Sequence, residues 1–261
     1  MRGRSGRWIW LGLPLVLWSA APQGNVPRYR FRCAAFAEVV RSTIRSQTGR
    51  IVVEDTASRE GILVVRRVGT DSIEAWYDSL TVWRAGEGVR ETPETDGVIG
   101  GRFRGALSPD GRYTAAVRPF VPDELLDVTD VGVALDEFFP RLPPVALEKD
   151  REARDTTGWR IRRTGDVSLG RIKVRRYEWK AVRAGNRRHE LDDTLGVGMD
   201  ERSEEAGSIV WHPDEGPLSW TKTITVTAKI PTQGTLKRNV YSRVVQQITV
   251  TRRPDYAACK E

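Results

Sequence analysis

The sequence predicts a mainly β protein: a large curved antiparallel sheet, closed as a barrel or open as a half-barrel, with one helical segment near residues 123–139. Three observations carry this expectation. Runs of alternating apolar and polar residues, rich in β-branched and aromatic types, recur along most of the chain. Helical spacing of apolar residues occurs once. No internal repeat with a period of roughly 20–50 residues is visible, which argues against solenoids and propellers. The 261 residues are 39% hydrophobic and 30% charged, enough to bury a core and outside the disordered range.

The chain opens with Arg2, Arg4 and Arg7 and no acid before residue 8. Residues 8–18 form an apolar run, and Ser19, Ala20 and Ala21 follow. A charged start, a short apolar stretch and small residues make the layout of a secretory signal peptide over residues 1–21, cut after Ala21. The alternative is an uncleaved N-terminal anchor. No cysteine follows the small residues, which argues against a lipoprotein. The mature chain, 22–261, is expected as a single β-rich domain, exported to a periplasmic or extracellular space. No second long apolar run exists, so no transmembrane span is expected after signal removal.

Residues 29–84 read mostly as strands. Ile62, Leu63, Val64 and Val65 lie between Gly61 and Gly69, and residues 71–84 alternate through Ile73, Ala75 and Tyr77. Residues 87–96 read as a loop. Residues 103–117 read as a hairpin around Ser108-Pro109-Asp110-Gly111, a type I turn by its Pro and Gly placement. Pro122 then opens the helical pattern, with Leu125, Val128, Val131, Leu135 and Phe138 at three- and four-residue spacing. Asp130 is expected to cap a second helical piece after a break near Val128. Pro140, Pro143 and Pro144 stop it, and the connection 140–158 is the one candidate boundary between two halves.

Strands return over 159–163, 171–182, 204–211, 218–230 and 240–251. Ile172 and Val174 are in one phase and Tyr177 and Trp179 in the other, which places a bulge near Arg175. The stretch 221–228 sets Thr and Lys against Ile224 and Val226, so its polar face is expected to be wet. The count is about ten strands and one helical excursion.

The stretch from Arg104 through Gly105, Ala106, Leu107, Ser108, Pro109 and Asp110 to Gly111, and Leu142-Pro143-Pro144, fall where two runs of strands are split by a helical segment. In that layout the chain resembles exported bacterial β-rich proteins of unknown function. It is also similar to the lipoprotein-carrier half-barrels of the LolA and LppX type. The resemblance implies a curved sheet with a helical lid that holds acyl chains. Those carriers have more helix than this chain offers.

The two cysteines, Cys33 and Cys259, would both enter an oxidising space and are expected to pair. No Cys-x-x-Cys spacing supports a redox role. The net charge of +7 and pI near 9.7 raise nucleic acid as a partner. However, three of the arginines lie in the signal segment and the rest are interspersed with acids, so no nucleic acid is expected.

Catalytic signals are weak. His189 lies in a charged stretch and His212 at a turn, and neither has metal-ligand spacing around it. No Gly-x-Ser-x-Gly is present. The adjacent acids Glu54-Asp55, Asp192-Asp193, Asp200-Glu201 and Glu204-Glu205 would point to opposite faces of a strand. The tryptophans after the signal segment (Trp76, Trp83, Trp159, Trp179, Trp211 and Trp220) are expected in the core with their ring N–H groups bonded. No catalytic residue, metal or cofactor is expected. The function expected is a non-enzymatic exported module that binds a lipid, another hydrophobic molecule or an envelope protein. A structural envelope protein without a small ligand is the alternative, and an envelope hydrolase ranks behind both. Any ligand is expected against the helical segment, with Leu125, Val128, Val131, Leu135, Phe138 and Phe139 as contact residues.

Overall fold

The computed structural model describes residues 26–126, 128–170, 172–190, 196–232 and 238–260, with the backbone alone over 186–190 and 196–197. The signal segment 1–21 and its cut after Ala21, the Asp192-Asp193 pair and the side chain of His189 lie outside the described residues.

The strands are β1 (Cys33–Thr48), β2 (Ile51–Arg67), β3 (Ser72–Gly86), β4 (Val89–Glu91), β5 (Phe103–Leu107), β6 (Tyr113–Val117), β7 (Glu152–Arg154), β8 (Arg160–Leu169), β9 (Ile172–Glu190), β10 (Gly196–His212), β11 (Gly216–Ile230) and β12 (Val240–Arg253). They form one sheet in the order β6-β5-β3-β2-β1-β12-β11-β10-β9-β8-β7, with β4 added beside β3. Every pairing is antiparallel. β6 and β7 are not joined to each other, so the sheet is open and curls as a half-barrel.

Most neighbours are hairpin partners, because alternation lets each strand bury one face while a short turn returns the chain. The exception at the centre is β1 beside β12, in register from Ala35 opposite Arg253 to Thr48 opposite Val240. This pair joins strands from the two sides of the 140–158 connection. The Ser108 turn forms as its residues require: the Gly111 N–H donates to the Ser108 carbonyl at 3.0 Å. Gly111 takes a φ of +94° there, with the Tyr29 ring and the Pro140 carbonyl against it. A side chain would meet strain and a clash together.

The helical segment is shorter than its apolar spacing suggests. It consists of α1 (Asp123–Leu126) and a 3-10 helix, Val131–Glu137. Asp130 precedes the latter but makes no side-chain capping bond. Thr129, Asp130 and Gly132 are poor helix formers, and a run this short cannot repay nucleation by itself. Burial of Leu125, Val131, Ala134 and Leu135 on the sheet decides its shape instead.

Three other expectations change. The irregularity expected near Arg175 lies on the partner strand, where β8 shifts register between Arg163 and Gly165 opposite Tyr177 and Arg176. The loop 87–96 contains the short β4, and the strand expected from residue 204 begins at Gly196.

One face of the sheet carries the main core. Tyr29, Phe36, Leu63, Tyr77, Phe103, Trp179, Ile209, Trp211, Trp220 and Val250 are all buried there, beneath the helical segment. The opposite face carries a small cluster of Ala35, Val64 and Trp76, roofed by the C-terminal residues Tyr256, Ala258 and Cys259. Cys33 and Cys259 are disulfide-bonded with their Cα atoms 5.4 Å apart. Among the tryptophans, Trp179 donates to Glu205 and Trp211 to the Arg28 carbonyl. Trp159 and Trp220 are buried with ring N–H groups that find no partner among the described residues, contrary to expectation.

Candidate functional site

The inner face has two parts, set by which rows the helical segment covers. Over the first part the segment is a packed lid. Phe138 meets Phe36, Phe139 and Trp220 with ring centroids 5.6, 5.0 and 5.1 Å away. Phe139 meets Tyr29 at 5.3 Å. Leu125, Val128, Val131, Leu135, Phe138 and Phe139, the expected contact residues, are thus brought together but buried at 0–8% exposure in a filled interface. Their apolar atoms are already in contact with protein.

Beneath the lid's edge lies a buried polar cluster. Glu38 is 2% exposed and Arg59 is 5% exposed, on adjacent strands. Arg59 donates to Glu38 from Nε at 3.2 Å and from Nη2 at 3.0 Å, and the Tyr77 hydroxyl donates to Glu38 at 2.7 Å. Arg59 Nη1 also reaches the Thr129 hydroxyl of the lid at 3.5 Å. Burial pulls the Arg59 guanidinium down, but the Glu38 carboxylate, with Tyr77 and Asp130, holds it above its ordinary range. Two strands beyond β1, on β11, Lys222 is 4% exposed. Its ammonium donates to the Glu137 carbonyl and lies 3.9 Å from the Glu137 carboxylate. Lys222 shares its face with Trp220 and Ile224, so it is not on the wet face expected for it; the threonines occupy that face. Burial pushes the Lys222 ammonium below its usual value.

These bonds pin the lid by polar contacts on both β2 and β11. A cavity of about 280 Å³ remains between them, bordered by Glu38, Arg59, Asp130, Asp136, Glu137 and Phe138. It is small for an organic ligand, and four acids share its walls with Val133, Ala134, Phe138 and Ile248, whereas hydrophobic ligands select mainly apolar walls.

Beyond the row of Arg59, Val40, Ile248 and Lys222 the lid ends and the sheet continues. Ile44, Val244 and Val226 stand opposite one another across β1, β12 and β11. Ile44 is 37% exposed, while Val226 and Val244 are half-buried. Val226 packs against the core cluster, and Ile224 beside it belongs to that cluster. The result is an open trough with one apolar row, joined to the core through Ile224 on β11 and flanked on β1 and β12 by Ser42 bonded to Gln246 at 3.4 Å and by Ser46 opposite Ser242. It runs from Val40 to Thr48 on β1, eight residues or roughly 27 Å of strand. Asp55 paired with Arg84 at 2.8 Å borders one side, and Ser203 of β10 the other. The signal for the trough was present in the sequence, since Ile44, Val226 and Val244 continue the apolar phase of Phe36, Trp220 and Val250. Apolar spacing in a helix is a stronger local signal than the uncovered end of a strand, which only the position of the lid defines.

His212 Nδ1 accepts the Asp214 and Glu215 N–H groups, each at 3.2 Å, so this histidine organises a turn. Among the described residues no three metal-ligating side chains cluster. No helix among them is long and apolar enough to cross a membrane.

No family model and no curated protein matches the chain. Among solved structures, the fold is similar to lipovitellin, in a structure describing lipid–protein interactions. The identity is 11% and the TM-score 0.50, over 89% of this chain and 26% of the lipovitellin chain. This chain therefore spans about a quarter of that protein, and the likeness is one of fold. Neisserial surface protein A aligns at 9% identity and TM-score 0.22, over 83% of this chain and 96% of its own. A DUF1329 family protein from Desulfovibrio piger ATCC 29098 aligns at 8% identity and TM-score 0.15, over 86% and 87%. Neither adds to the fold assignment.

One solution property follows from the core. Burial pushes the Tyr29 phenol well above its ordinary 10.0, with Asp110 adding to the rise. Burial also raises Tyr77, against the pull of Arg59 and with Glu38 reinforcing it. A group raised on folding contributes stability that is complete below its unfolded value and is lost as pH climbs through the folded one. Lys222 acts oppositely: it is lowered on folding, so its penalty is relieved as pH rises towards the ordinary 10.5 of a lysine, mostly before the phenols begin to ionise. Two phenols oppose one ammonium, and ionised Tyr29 would lose its 2.6 Å bond to the Pro140 carbonyl. The melting temperature is therefore expected to fall as pH climbs above about 10, the ordinary value of a phenol. A flat or rising profile would contradict the burial of these phenols.

Proposed function

We propose that this is an exported, non-enzymatic β-rich module that holds a hydrophobic molecule in the open trough of its sheet. The observation that carries the reading is the uncovered apolar row Ile44–Val244–Val226, continuous with the core and outside the lid. Apolar side chains grouped at the surface, rather than scattered singly, are what a hydrophobic ligand can cover. The likeness to lipovitellin supports it at the level of a shared curved sheet. The disulfide supports export, because such bonds persist in oxidising compartments. A structural envelope role is the second reading, favoured by the filled interface under the lid.

Uptake of a fluorescent fatty acid by the purified full chain tests the proposal. Val226→Lys places an ammonium in the trough while its long stem can still reach solvent. Uptake is expected to weaken about tenfold or more, because the ligand's apolar chain would desolvate the charge. The melting temperature is expected to fall modestly, because Val226 packs against the core cluster, so uptake is measured well below the transition of both proteins. Wild-type protein that takes up no probe ends this reading and leaves the structural one.

A further inference from the structure

We propose that the end of the sheet where the trough opens is a docking surface for an anionic phospholipid bilayer. The inference goes beyond the trough reading and does not require it. At this end the β1–β2 turn, Gly49 and Arg50, adjoins the ends of β11 and β12, since Thr48 stands opposite both Ile51 and Val240. The Arg238 guanidinium lies against Gly49.

Two features coincide here. The first is apolar exposure at the rim: Ile51 is 67% exposed, Val52 45%, Val53 37% and Tyr241 47%. The second is basic charge. Arg45, Arg50, Lys229, Arg238 and Arg243 cluster around the rim, and none of the five lies in an ion pair among the described residues. Arg45 stands directly opposite Arg243 in the β1–β12 ladder, and Arg243 opposite Thr227. Like charges so placed repel each other. An anion between them would remove the repulsion.

A groove of about 630 Å³ lies at that point on the outer face, bordered by Arg45, Arg243, Lys229 and Tyr241. Asp200 and Glu201 also border it, and Arg202 beside them is held by Glu204 at 2.7 Å. Glu54 stands opposite Arg45 on β2. The cations nevertheless outnumber these acids at the rim. Arginines beside exposed Ile and Val match the two layers of a membrane surface: phosphates meet the guanidinium groups while the aliphatic tips enter the acyl boundary. A nucleic acid would satisfy the charges but would leave Ile51, Val52 and Val53 against polar backbone.

Co-sedimentation of the full chain with vesicles tests this, using phosphatidylglycerol mixed with phosphatidylcholine against phosphatidylcholine alone. The wild type is expected to bind the anionic vesicles and to release as salt rises. Arg45→Gln with Arg243→Gln should weaken binding roughly 30-fold, from about fivefold per surface charge. Ile51→Ser should weaken it through the apolar term. The control pair Arg160→Gln and Arg176→Gln, exposed elsewhere on the sheet, should leave it unchanged. Both double variants are checked for an unchanged melting temperature. Equal binding to the two vesicle types, or an equal loss in the control pair, overturns the proposal. Binding of inorganic phosphate without vesicle binding also overturns it, and marks the groove as a site for a free anion. Fatty-acid uptake measured without vesicles reports on the trough alone, so failure of one reading is distinguishable from failure of the other.

Discussion

Glu38→Ala is expected to destabilise the protein by about 3–5 kcal/mol, the usual cost of leaving one member of a buried ion pair alone. The carboxylate accepts both Arg59 bonds and the Tyr77 hydroxyl, and all three side chains are buried. Arg59 cannot shed its proton to escape, since an arginine stays charged in proteins. Its remaining partner is the Thr129 hydroxyl at 3.5 Å, a long bond. The lid should loosen as well, because Arg59 would no longer be oriented towards Thr129. Urea unfolding with an unchanged slope would report the loss as stability. A triple variant, Glu38→Leu with Arg59→Met and Tyr77→Phe, removes charge and partner together and is expected to recover most of it. A Glu38→Ala protein within about 1 kcal/mol of wild type would mean the cluster is solvated rather than buried.

Opening the disulfide by Cys33→Ala with Cys259→Ala is expected to cost about 2–5 kcal/mol. The bond closes a loop of 226 residues, and the chain-entropy model puts the upper end near 5 kcal/mol. The native state loses something too. The residues from Tyr256 to Cys259 cover Trp76 and Val64 on the outer face. Arg66 donates to the Ala258 carbonyl at 3.2 Å, and Tyr256 donates to Asp78 at 2.6 Å. Those two bonds should hold the segment in place in part, so the loss is expected to appear mainly as a more expanded unfolded state. Comparing the double variant with reduced wild type separates lost cross-linking from lost packing. Equal unfolding midpoints for oxidised and reduced protein would show that the bond contributes nothing.

Much of the fold was legible because its signals are local. The run Ile62 to Val65, the alternation from Thr221 to Ala228 and the Ser108 turn each declare themselves within a few residues. The period of a strand is two, and each β-branched or aromatic position repeats it. The position of the irregularity between β8 and β9 was not legible, because a phase change in one strand can be absorbed by either partner. The lid's position followed from its apolar spacing, yet its split into α1 and a 3-10 helix did not. That spacing is common to both, and contact with the sheet selects between them. The burial of Lys222 is hidden in the sequence for a similar reason. A lysine between threonines looks like part of a polar row, until the register shows that it alternates with them and sits beside Trp220.

The sequence by itself determined a β-rich chain, its approximate strand positions, the turn at Ser108 and the pairing of its two cysteines. Only the tertiary structure decided which strands became neighbours, above all β1 with β12. Only there did Glu38 meet Arg59 and Tyr77, Lys222 fall beneath Glu137, and Arg45 come to face Arg243. The physical reason is that period-two patterning specifies which side of a strand is buried but not what lies across from it. Neighbours distant in the chain are chosen by the combined burial of the whole face, and no short segment contains that choice.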